Sequence, residues 1–197
     1  MVESSLRDTV LRAAVDHIAA HGPDGLSIRQ VAAAAGVSHQ APYHHFADRA
    51  AILRAIALEG FALFGATLRD AVVRPDIDPA TALLEGYVDF AVQHPGHVRV
   101  MFRTDLAPID DDGDLVEVAD ASFEVLVDHV QRTLGDRASV EEIRARVVTM
   151  WSIAHGLATL LIDGPLETKL GPVTDRSALA RAVARASGMT QESGGIP

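Results

Sequence analysis

Residues able to recognise nucleic acid concentrate in a short segment near the N-terminus, residues 38–49. The segment holds a serine, a glutamine, a tyrosine, an arginine and three histidines. Gln40 has the amide geometry that pairs with adenine, and Arg29, slightly upstream, has the guanidinium that pairs with guanine. Hydroxyl and imidazole groups such as those of Tyr43 and His45 suit phosphate oxygens. These residue types predict DNA contacts rather than catalysis.

The elements that must position these groups form a predicted helix-turn-helix. Ser27 is a good N-cap for a short helix over residues 28–35, and Gly36 permits the tight turn that follows. Ser38 then caps a second short helix that reaches Phe46. In a helix-turn-helix this second helix enters the major groove with its N-terminal end facing the base edges. Two ordinary short helices of an all-α core have the same spacing, so spacing alone leaves both interpretations open.

Other kinds of site find little support in the sequence. The chain has no cysteine, which excludes disulfides, thiolate nucleophiles and cysteine zinc sites. His94 and His97, with Asp105 nearby, are too few and too close to a helix end for a metal site. The acidic run 110–114 lacks the ligand spacing of a calcium loop. No catalytic triad, phosphate-binding glycine loop or carboxylate pair is evident, so we predict no catalytic residue, no metal, no cofactor and no enzyme activity.

The remainder of the chain is predicted to be all-α. Of the 197 residues, 48% are hydrophobic and only 5% are aromatic, and most apolar residues recur at intervals of three and four. Clusters of glycine and proline separate these periodic stretches. Besides the two short helices above, helices are predicted over residues 5–20, 48–73, 81–93, 97–103, 115–134, 140–162 and 175–186.

The net charge of −10 at pH 7 opposes DNA binding, because phosphate contacts require cations. Its distribution removes the objection: residues 1–55 hold five arginines and five acidic residues, whereas residues 56–197 hold 12 basic and 22 acidic ones. The N-terminal residues 1–5 have no basic region before an apolar run, and the longest apolar stretch, 151–162, is too short to cross a bilayer. We therefore expect a cytoplasmic protein that makes no use of a membrane.

Three ordered segments carry a family resemblance: residues 25–32 (GLSIRQVA), 35–38 (AGVS) and 43–49 (YHHFADR). Together they resemble the DNA-binding region of the tetracycline-repressor (TetR) family over roughly residues 6–55. The resemblance implies an N-terminal three-helix bundle with the helix-turn-helix, one face of which binds double-stranded operator DNA. The residue types and the resemblance together predict the following residues for this face: Ser27, Arg29, Ser38, His39, Gln40, Tyr43, His44, His45 and Arg49.

Two residues depart from the family pattern. Arg49 replaces the usual lysine, which keeps the charge, and Pro42 stands where leucine is common. Because proline is tolerated only in the first turn of a helix, the second helix is expected to begin near Ser38 and to be short. By the resemblance, the base-contacting or adjacent positions are Arg29, His39, Gln40 and Tyr43, and the phosphate-contacting positions are Ser27, His45 and Arg49.

The C-terminal part resembles one subgroup of the family, which is named for a Trp-His-Gly (WHG) motif. Residues 151–157 (WSIAHGL) are similar to that motif, and residues 94–102 (HPGHVRVMF) are similar to a His-Pro segment of the subgroup. The resemblance implies an all-helical domain that binds a small-molecule effector. Residues 151 and 155 share a helix face, and an apolar pocket with one polar handle is the usual design of such a site. The predicted lining is Tyr87, Phe90, Phe102, Phe123, Trp151 and His155, for which packing inside a helical core is the alternative.

The resemblance also implies a homodimer, formed through the last long helices, 140–162 and 175–186. A homodimer matches the two-fold symmetry of palindromic operators. Burial within one protomer would explain the same apolar stripes, and periodicity does not separate the two uses. The stripes are Val147, Met150, Ala154, Ala158 and Leu161 on the first helix, and Leu179, Ala182 and Val183 on the second.

A one-component transcription regulator follows from these resemblances, most simply a repressor that a small effector releases from its operator. Residues 1–47 are expected to bind DNA, residues 48–190 to bind the effector and dimerise, and residues 191–197 to form a flexible tail. The helix after Asp48 is expected to link the two functions. The competing interpretation is an effector-binding or enzymatic helical domain whose N-terminal helices are only structural.

Overall fold

The structure is a computed structural model that describes residues 5–107 and 113–190. Within these residues every regular element is a helix and none is a strand, which confirms the predicted all-α class. The predicted flexible tail, 191–197, and most of the acidic run, residues 110–112, lie outside the described residues. In chain order the elements are α1 (Leu6–His21), α2 (Ile28–Ala34), a short 3₁₀ helix (Ala41–His44), α3 (Arg49–Val72), α4 (Pro79–Gln93), α5 (Pro95–Met101), α6 (Gly113–Leu134), α7 (Val140–Ile162), α8 (Pro165–Leu170) and α9 (Arg176–Ala186).

The helices group into two compact units. The first unit comprises the described residues of Met1–Leu63 and His94–Ala119, and the second those of Phe64–Gln93 and Asp120–Pro197. The long helices α3 and α6 each contribute residues to both. This is a division by packing, and the predicted functional boundary after residue 47 stays a prediction.

Helix α1 is the centre of the first unit. Ser5 caps it, since its hydroxyl accepts a hydrogen bond from the Asp8 amide at 3.2 Å. Gly22, with a φ of 79°, ends it. One apolar face is buried against α2, the 3₁₀ helix and α5, and its buried residues are Val10, Leu11, Ala14 and Ile18. The first two of these partners complete the predicted N-terminal three-helix bundle.

Helix α5 docks closely on the end of α1. A side chain at Gly96 would collide with the carbonyl oxygen of Val15, so the two backbones can approach only because residue 96 is glycine. Nearby, the Arg99 guanidinium donates hydrogen bonds to the carbonyl oxygens of Ile18 (3.3 Å) and Ala19 (2.5 Å). Both carbonyls lie in the last turn of the helix, where that of Ile18 also accepts from the Gly22 amide at 2.9 Å. Arg99 therefore fixes α5 to the C-terminal end of α1.

Helix α4 forms the core of the second unit, where α7 and α9 pack against it. Nearly all faces of this helix are buried, more than the apolar residues at intervals of three and four would require. Even Glu85 is only 3% exposed. Its two carboxylate oxygens accept hydrogen bonds from Arg74, at 2.9 Å, and from Arg181 of α9, at 2.7 Å. A buried charge is tolerated only when it is paired in this way.

Three helix starts and one helix differ from the sequence predictions. Helix α4 begins two residues earlier than expected because Asp78 caps it, its carboxylate accepting from the Thr81 amide at 2.9 Å. Helix α5 begins at Pro95, which was expected to break the chain; proline suits a first helical position because no amide is needed there. Helix α6 begins at Gly113 rather than at residue 115. Helix α8 was not predicted, and its six residues include no buried side chain that a periodic pattern would reveal.

The long helix α7 buries one face and exposes another. Four members of the predicted stripe, Val147, Met150, Ala154 and Ala158, are buried within the protomer, which favours the core alternative for them, and the fifth, Leu161, is half-buried. The opposite side exposes apolar residues, among them Val148 at 51%. By length and composition alone, α3 and α7 are long and apolar enough to cross a membrane. Of the 18-residue apolar stretch that meets this test, 56% is buried within the protein in α3 and 28% in α7. Burial accounts for α3 as a core helix, whereas part of α7 exposes apolar side chains among the residues that the structure describes.

Candidate nucleic-acid interface

The first helix of the helix-turn-helix is held at both ends by local hydrogen bonds. At its start, the Ser27 hydroxyl accepts from the Gln30 amide at 3.3 Å, as the sequence predicts. At its end, Gly36 adopts the left-handed region with a φ of 68°. The amide of the next residue, Val37, then donates to the Ala32 carbonyl at 3.0 Å. This is the Schellman arrangement, and it turns the chain sharply out of α2.

The recognition element is a 3₁₀ helix, not the α-helix from Ser38 to Phe46 that the sequence predicts. It spans Ala41–His44, and Gln40 precedes it without a side-chain cap. The physical reason is Pro42, which has no amide to donate to the Ser38 carbonyl and which disfavours α-helical geometry in the residue before it. The amide of Ala41 instead closes a turn onto the Ser38 carbonyl at 3.0 Å. The polar residues at 38–40 therefore stand in a turn before the helix rather than in its first turn.

Buried anchors hold this short element against the first unit. Pro42 is buried on its inner side, and Phe46, which follows it, is only 3% exposed. The Phe46 amide donates to the Pro42 carbonyl at 2.9 Å. The guanidinium of Arg7 lies over the Phe46 ring, 5.6 Å from its centroid, a cation–π distance.

Most residues predicted to contact DNA are exposed on the other side of this element. The rings of His39 and Tyr43 stack at 6.0 Å with an interplanar angle of 29°. Tyr43 is 46% exposed, a large fraction for an aromatic side chain. Ser27 is half-buried at its cap position. The exposed members of the predicted set are Arg29, Ser38, His39, Gln40, Tyr43, His44 and His45.

Arg49 differs from the other members because part of its guanidinium is used within the protein. It is half-buried, and its Nη2 donates to the carbonyl oxygen of Pro23 at 2.8 Å. Its Nε is buried without a hydrogen-bond partner among the described residues. Arg49 thus ties the start of α3 to the loop between α1 and α2, a structural role that the sequence did not reveal.

A second cluster of predicted residues lies in the second unit. The Tyr87 hydroxyl is 2.8 Å from Nδ1 of His155, and the Trp151 indole also hydrogen-bonds to that hydroxyl. An indole nitrogen can only donate, so the hydroxyl accepts from Trp151, and its own hydrogen is available to an unprotonated Nδ1 of His155. Burial lowers the pKa of His155, which favours the neutral ring that this hydrogen bond needs. Burial likewise raises the pKa of Tyr87.

Aromatic rings extend this cluster. The Trp151 ring packs edge-on against Phe123, with 5.4 Å between centroids. The ring of Phe64, which the sequence reasoning missed, lies 4.9 Å from Tyr87 and 5.1 Å from Phe90. Phe64 sits among other apolar residues of α3, so periodicity marks it only as a core position. Phe102 belongs to the first unit, where its ring contacts Phe61 at 5.7 Å.

The histidine pair considered for metal binding has other surroundings. The rings of His94 and His97 lie edge to face with 5.6 Å between centroids. Asp105 pairs instead with Arg103 at 2.8 Å, and this hydrogen bond lowers the pKa of the Asp105 carboxyl. Across residues 5–107 and 113–190 no group of three or more potential ligands is suited to a metal ion.

Two family models match the chain. The one described as "Bacterial regulatory proteins, tetR family" matches residues 10–56 and so contains the helix-turn-helix. The one described as "Tetracyclin repressor-like, C-terminal domain" matches residues 80–186. No protein of curated function matches the chain.

Solved structures share this fold. A protein of unknown function from Rhodococcus sp. RHA1 is 33% identical with a TM-score of 0.73, and the match covers 95% of this chain and 94% of that one. A TetR-family regulatory protein from Rhodococcus RHA1 is 22% identical with a TM-score of 0.72, over 95% and 97% of the two chains. The TetR-like transcriptional regulator LfrR from Mycobacterium smegmatis, solved with proflavine, is 21% identical with a TM-score of 0.66, over 98% and 97%. The last two are similar in fold. The chain therefore belongs to the TetR family of bacterial regulatory proteins and is a DNA-binding transcription regulator rather than an enzyme.

Proposed function

We propose that this regulator is a cytoplasmic repressor that a small-molecule effector releases from a palindromic operator. The observation that carries the proposal is the surface of the 3₁₀ helix and the turn before it. Pro42 and Phe46 anchor the inner side of this element, while His39, Gln40 and Tyr43 are exposed on its outer side. Such an arrangement holds the polar groups in a fixed geometry, which base readout requires.

The DNA contacts divide by chemistry. We assign base readout to Gln40 and Arg29, whose amide and guanidinium groups match the major-groove edges of adenine and guanine. His39 and Tyr43 stack on one another and are suited to the sugar–phosphate backbone beside those bases. The internal hydrogen bond of Arg49 leaves it at most a minor part in binding phosphate, in contrast to the expectation from the resemblance.

The aromatic cluster of the second unit supports an effector site there. Tyr87, Trp151 and His155 provide polar groups among the rings of neighbouring phenylalanines, which is the usual composition of a small-molecule site. Trp151 and Phe123 are 37% and 38% exposed, so this part of the cluster is open to a ligand. The WSIAHGL segment of α7 also supports membership of the WHG subgroup.

The regulatory mechanism that we propose is thermodynamic linkage. An effector that binds more tightly to a conformation with displaced recognition helices weakens operator binding, and the operator weakens effector binding by the same factor. An effector with equal affinity for both conformations would have no effect.

A homodimer is the form that a palindromic operator requires. We propose that the exposed side of α7, which includes Val148 and Leu160 at 51% and 43% exposure, pairs with its symmetry mate. Ala178 and Ala182 on the exposed side of α9 are small enough to let helices approach closely. Of these residues, Ala182 belongs to the predicted stripe on α9, whereas Val148 and Leu160 lie outside the predicted stripe on α7.

Selection of duplex DNA from a random library by the purified protein tests this function. We expect enrichment of a palindromic site, because each protomer reads one half-site. Val148→Arg should abolish recovery of the two-half-site sequence and yield a monomer by light scattering. Leu170→Arg, which adds the same charge at an 81% exposed position on α8, is the matched control and should behave as wild type. Failure to enrich any sequence would overturn the proposal, and an asymmetric single site would overturn its dimeric form.

A further inference from the structure

Three exposed histidines distinguish the side of the first unit that we assign to DNA. His39 lies in the turn before the 3₁₀ helix, His44 ends that helix and His45 follows it. All three side chains are exposed, whereas Pro42 and Phe46 on the inner side of the same element are buried. The anchored element therefore presents three imidazole rings together to the solvent side.

Permanent positive charge is scarce in this part of the chain. Residues 27–49 contain two arginines, no lysine and one acidic residue, so their formal charge is +1 when the histidines are neutral. Arg49 donates to the Pro23 carbonyl oxygen at 2.8 Å, which leaves Arg29 as the exposed arginine of the segment. Cationic side chains that neutralise phosphates supply much of the affinity of a protein for DNA. One exposed arginine in each protomer is a small supply for that purpose.

The three histidines can provide the additional charge. Histidine is the side chain whose charge ordinarily changes between pH 5 and 8. A charged imidazole has two N–H donors and no acceptor, which suits it to phosphate oxygens. Charging all three rings would raise the formal charge of residues 27–49 from +1 to +4 in each protomer. The positive charge of this surface is therefore set mainly by the pH.

The charged groups of the neighbouring elements leave the histidines available to DNA. Helices α1 and α2 pack against the 3₁₀ helix. The titratable or charged residues of these two helices, and the others of the segment itself, are Arg7, Asp8, Arg12, Asp16, His17, His21, Arg29, Tyr43, Asp48 and Arg49. Asp8 pairs with Arg7 at 4.0 Å, and Asp48 accepts from the Ala51 amide at 2.8 Å. These two carboxylates thus have partners other than the histidines.

We propose that operator binding is coupled to proton uptake by His39, His44 and His45, so that the protein binds its DNA site more tightly as the pH falls from 8 to 6. The inference rests on the proposed operator binding and adds a regulation of that same surface that needs no effector. Its sign follows from linkage: DNA phosphates stabilise the charged rings, so at a given pH the complex holds more protons than the free protein. More cations then contact phosphate at pH 6 than at pH 8, and binding releases more counterions.

Fluorescence anisotropy with the DNA site that the protein selects, measured between pH 8 and pH 6, tests the coupling. At constant salt we expect the affinity to rise at least about tenfold over this range, and the logarithm of the affinity to depend more steeply on that of the salt concentration at pH 6. The slope should grow by about 0.9 for each histidine that becomes paired with a phosphate. Circular dichroism at each pH verifies that the protein stays folded. Calorimetry in two buffers with different enthalpies of ionisation counts the protons taken up by the wild type.

Two variants assign the protons to these side chains. The triple variant His39→Gln, His44→Gln, His45→Gln keeps polar groups but has no titrating ring there, so its affinity should not rise between pH 8 and pH 6. His94→Gln, which removes a half-buried histidine of the same unit outside residues 27–49, is the control and should keep the wild-type pH dependence.

The outcomes separate this inference from the function on which it rests. A wild-type affinity that does not change with pH, or an unaltered pH dependence in the triple variant, would contradict the coupling and leave operator binding intact. If the triple variant no longer binds, calorimetry of the wild type decides, and the absence of proton uptake would contradict the coupling. Failure of the wild type to bind any DNA site selectively at any pH would overturn the proposed function, and this inference with it.

Discussion

The Tyr87 hydroxyl lies 2.8 Å from Nδ1 of His155, in a polar chain that continues to the Trp151 indole. Because the hydroxyl forms hydrogen bonds with both neighbours, the three side chains fix one another's orientation. Trp151 and His155 are the residues that suggested the WHG subgroup. Their hydrogen bonds show that they already have a structural role before any ligand binds.

Tyr87→Phe removes this hydroxyl while it keeps the ring. We expect the free energy of unfolding to fall by about 1 kcal/mol, because the partner groups lose a hydrogen bond but are half exposed and can regain water. Urea unfolding at pH 7.5 measures the loss. His45→Gln, at an exposed position of the first unit, serves as the control, and equal stability of both variants would show that the Tyr87 hydrogen bonds contribute little.

Acid should unfold the protein over a window set by its buried histidines. The folded-state pKa of His97 is about 4, below the usual 6.5, so the unfolded chain binds a proton that the folded protein does not. His129 and His155 have lowered pKa values for the same reason, burial, and add effects of the same sign. Stability is therefore present above pH 6.5 and lost as the pH falls towards 4, by about 3 kcal/mol from His97 alone.

Urea unfolding at a series of pH values tests this, with His97→Gln as the comparison. The variant should lose less stability than wild type between pH 6.5 and 4, and the two curves should run parallel above pH 7.5. Parallel curves throughout the acid window would contradict the burial effect on His97.

Removing the buried carboxylate of Glu85 should destabilise the protein more than removing the exposed carboxylate of Asp76, which also pairs with Arg74. Glu85→Ala leaves Arg74 and Arg181 without their common acceptor and removes the tie between α4 and α9. We expect a loss of about 2 kcal/mol, less than for a fully buried ion pair because both arginines reach solvent. Asp76→Ala removes an exposed partner of Arg74, 3.5 Å away, and should be nearly neutral. Thermal denaturation distinguishes the two, and similar melting temperatures would refute the assignment.

Gly96 should be intolerant of any side chain. In Gly96→Ala the new methyl group collides with the Val15 carbonyl, so α5 must move away from α1. We expect a destabilisation of about 2 kcal/mol, the usual effect of overpacking. Gly25→Ala, where a Cβ atom would meet nothing within 4 Å, is the matched control. A melting temperature for Gly96→Ala as high as that of the control would show that α5 can move away from α1 with little loss of stability.

Local features of the fold could be predicted from the sequence, and long-range pairings could not. The predicted cap at Ser27 occurs, and Asp48 and Asp175 cap their helices in the same way, by bonding to an amide three positions on. The predicted cap at Ser38 does not begin the next helix, which Gln40 precedes without a side-chain cap. The consequence of Pro42 was predicted only in part: the element is short, but it is a 3₁₀ helix preceded by a turn. Because Pro42 has no amide, the sequence excludes a regular α-helical hydrogen bond from residue 42. It does not show which of the remaining backbone geometries tertiary packing selects.

Contacts between distant residues have no local signature. Arg181 reaches Glu85 across 96 positions, and Arg99 reaches α1 across about 80. The same limit explains the stripe on α7: a 3.6-residue period locates an apolar face but not its partner, and Val147 and Met150 face the protomer core. His97 is only 6% exposed, but the sequence marks it only as a possible metal ligand and as part of the segment that resembles the WHG subgroup.

The most direct test of the central claim is fluorescence anisotropy of the protein with the DNA site that it selects. We expect salt-sensitive, sequence-selective binding, weakened at least about tenfold by Arg29→Ala and by Tyr43→Ala. Arg137→Ala, at an exposed arginine between α6 and α7, should bind as wild type and controls for the loss of one positive charge. Undiminished binding by both Arg29→Ala and Tyr43→Ala would contradict the proposed reading surface.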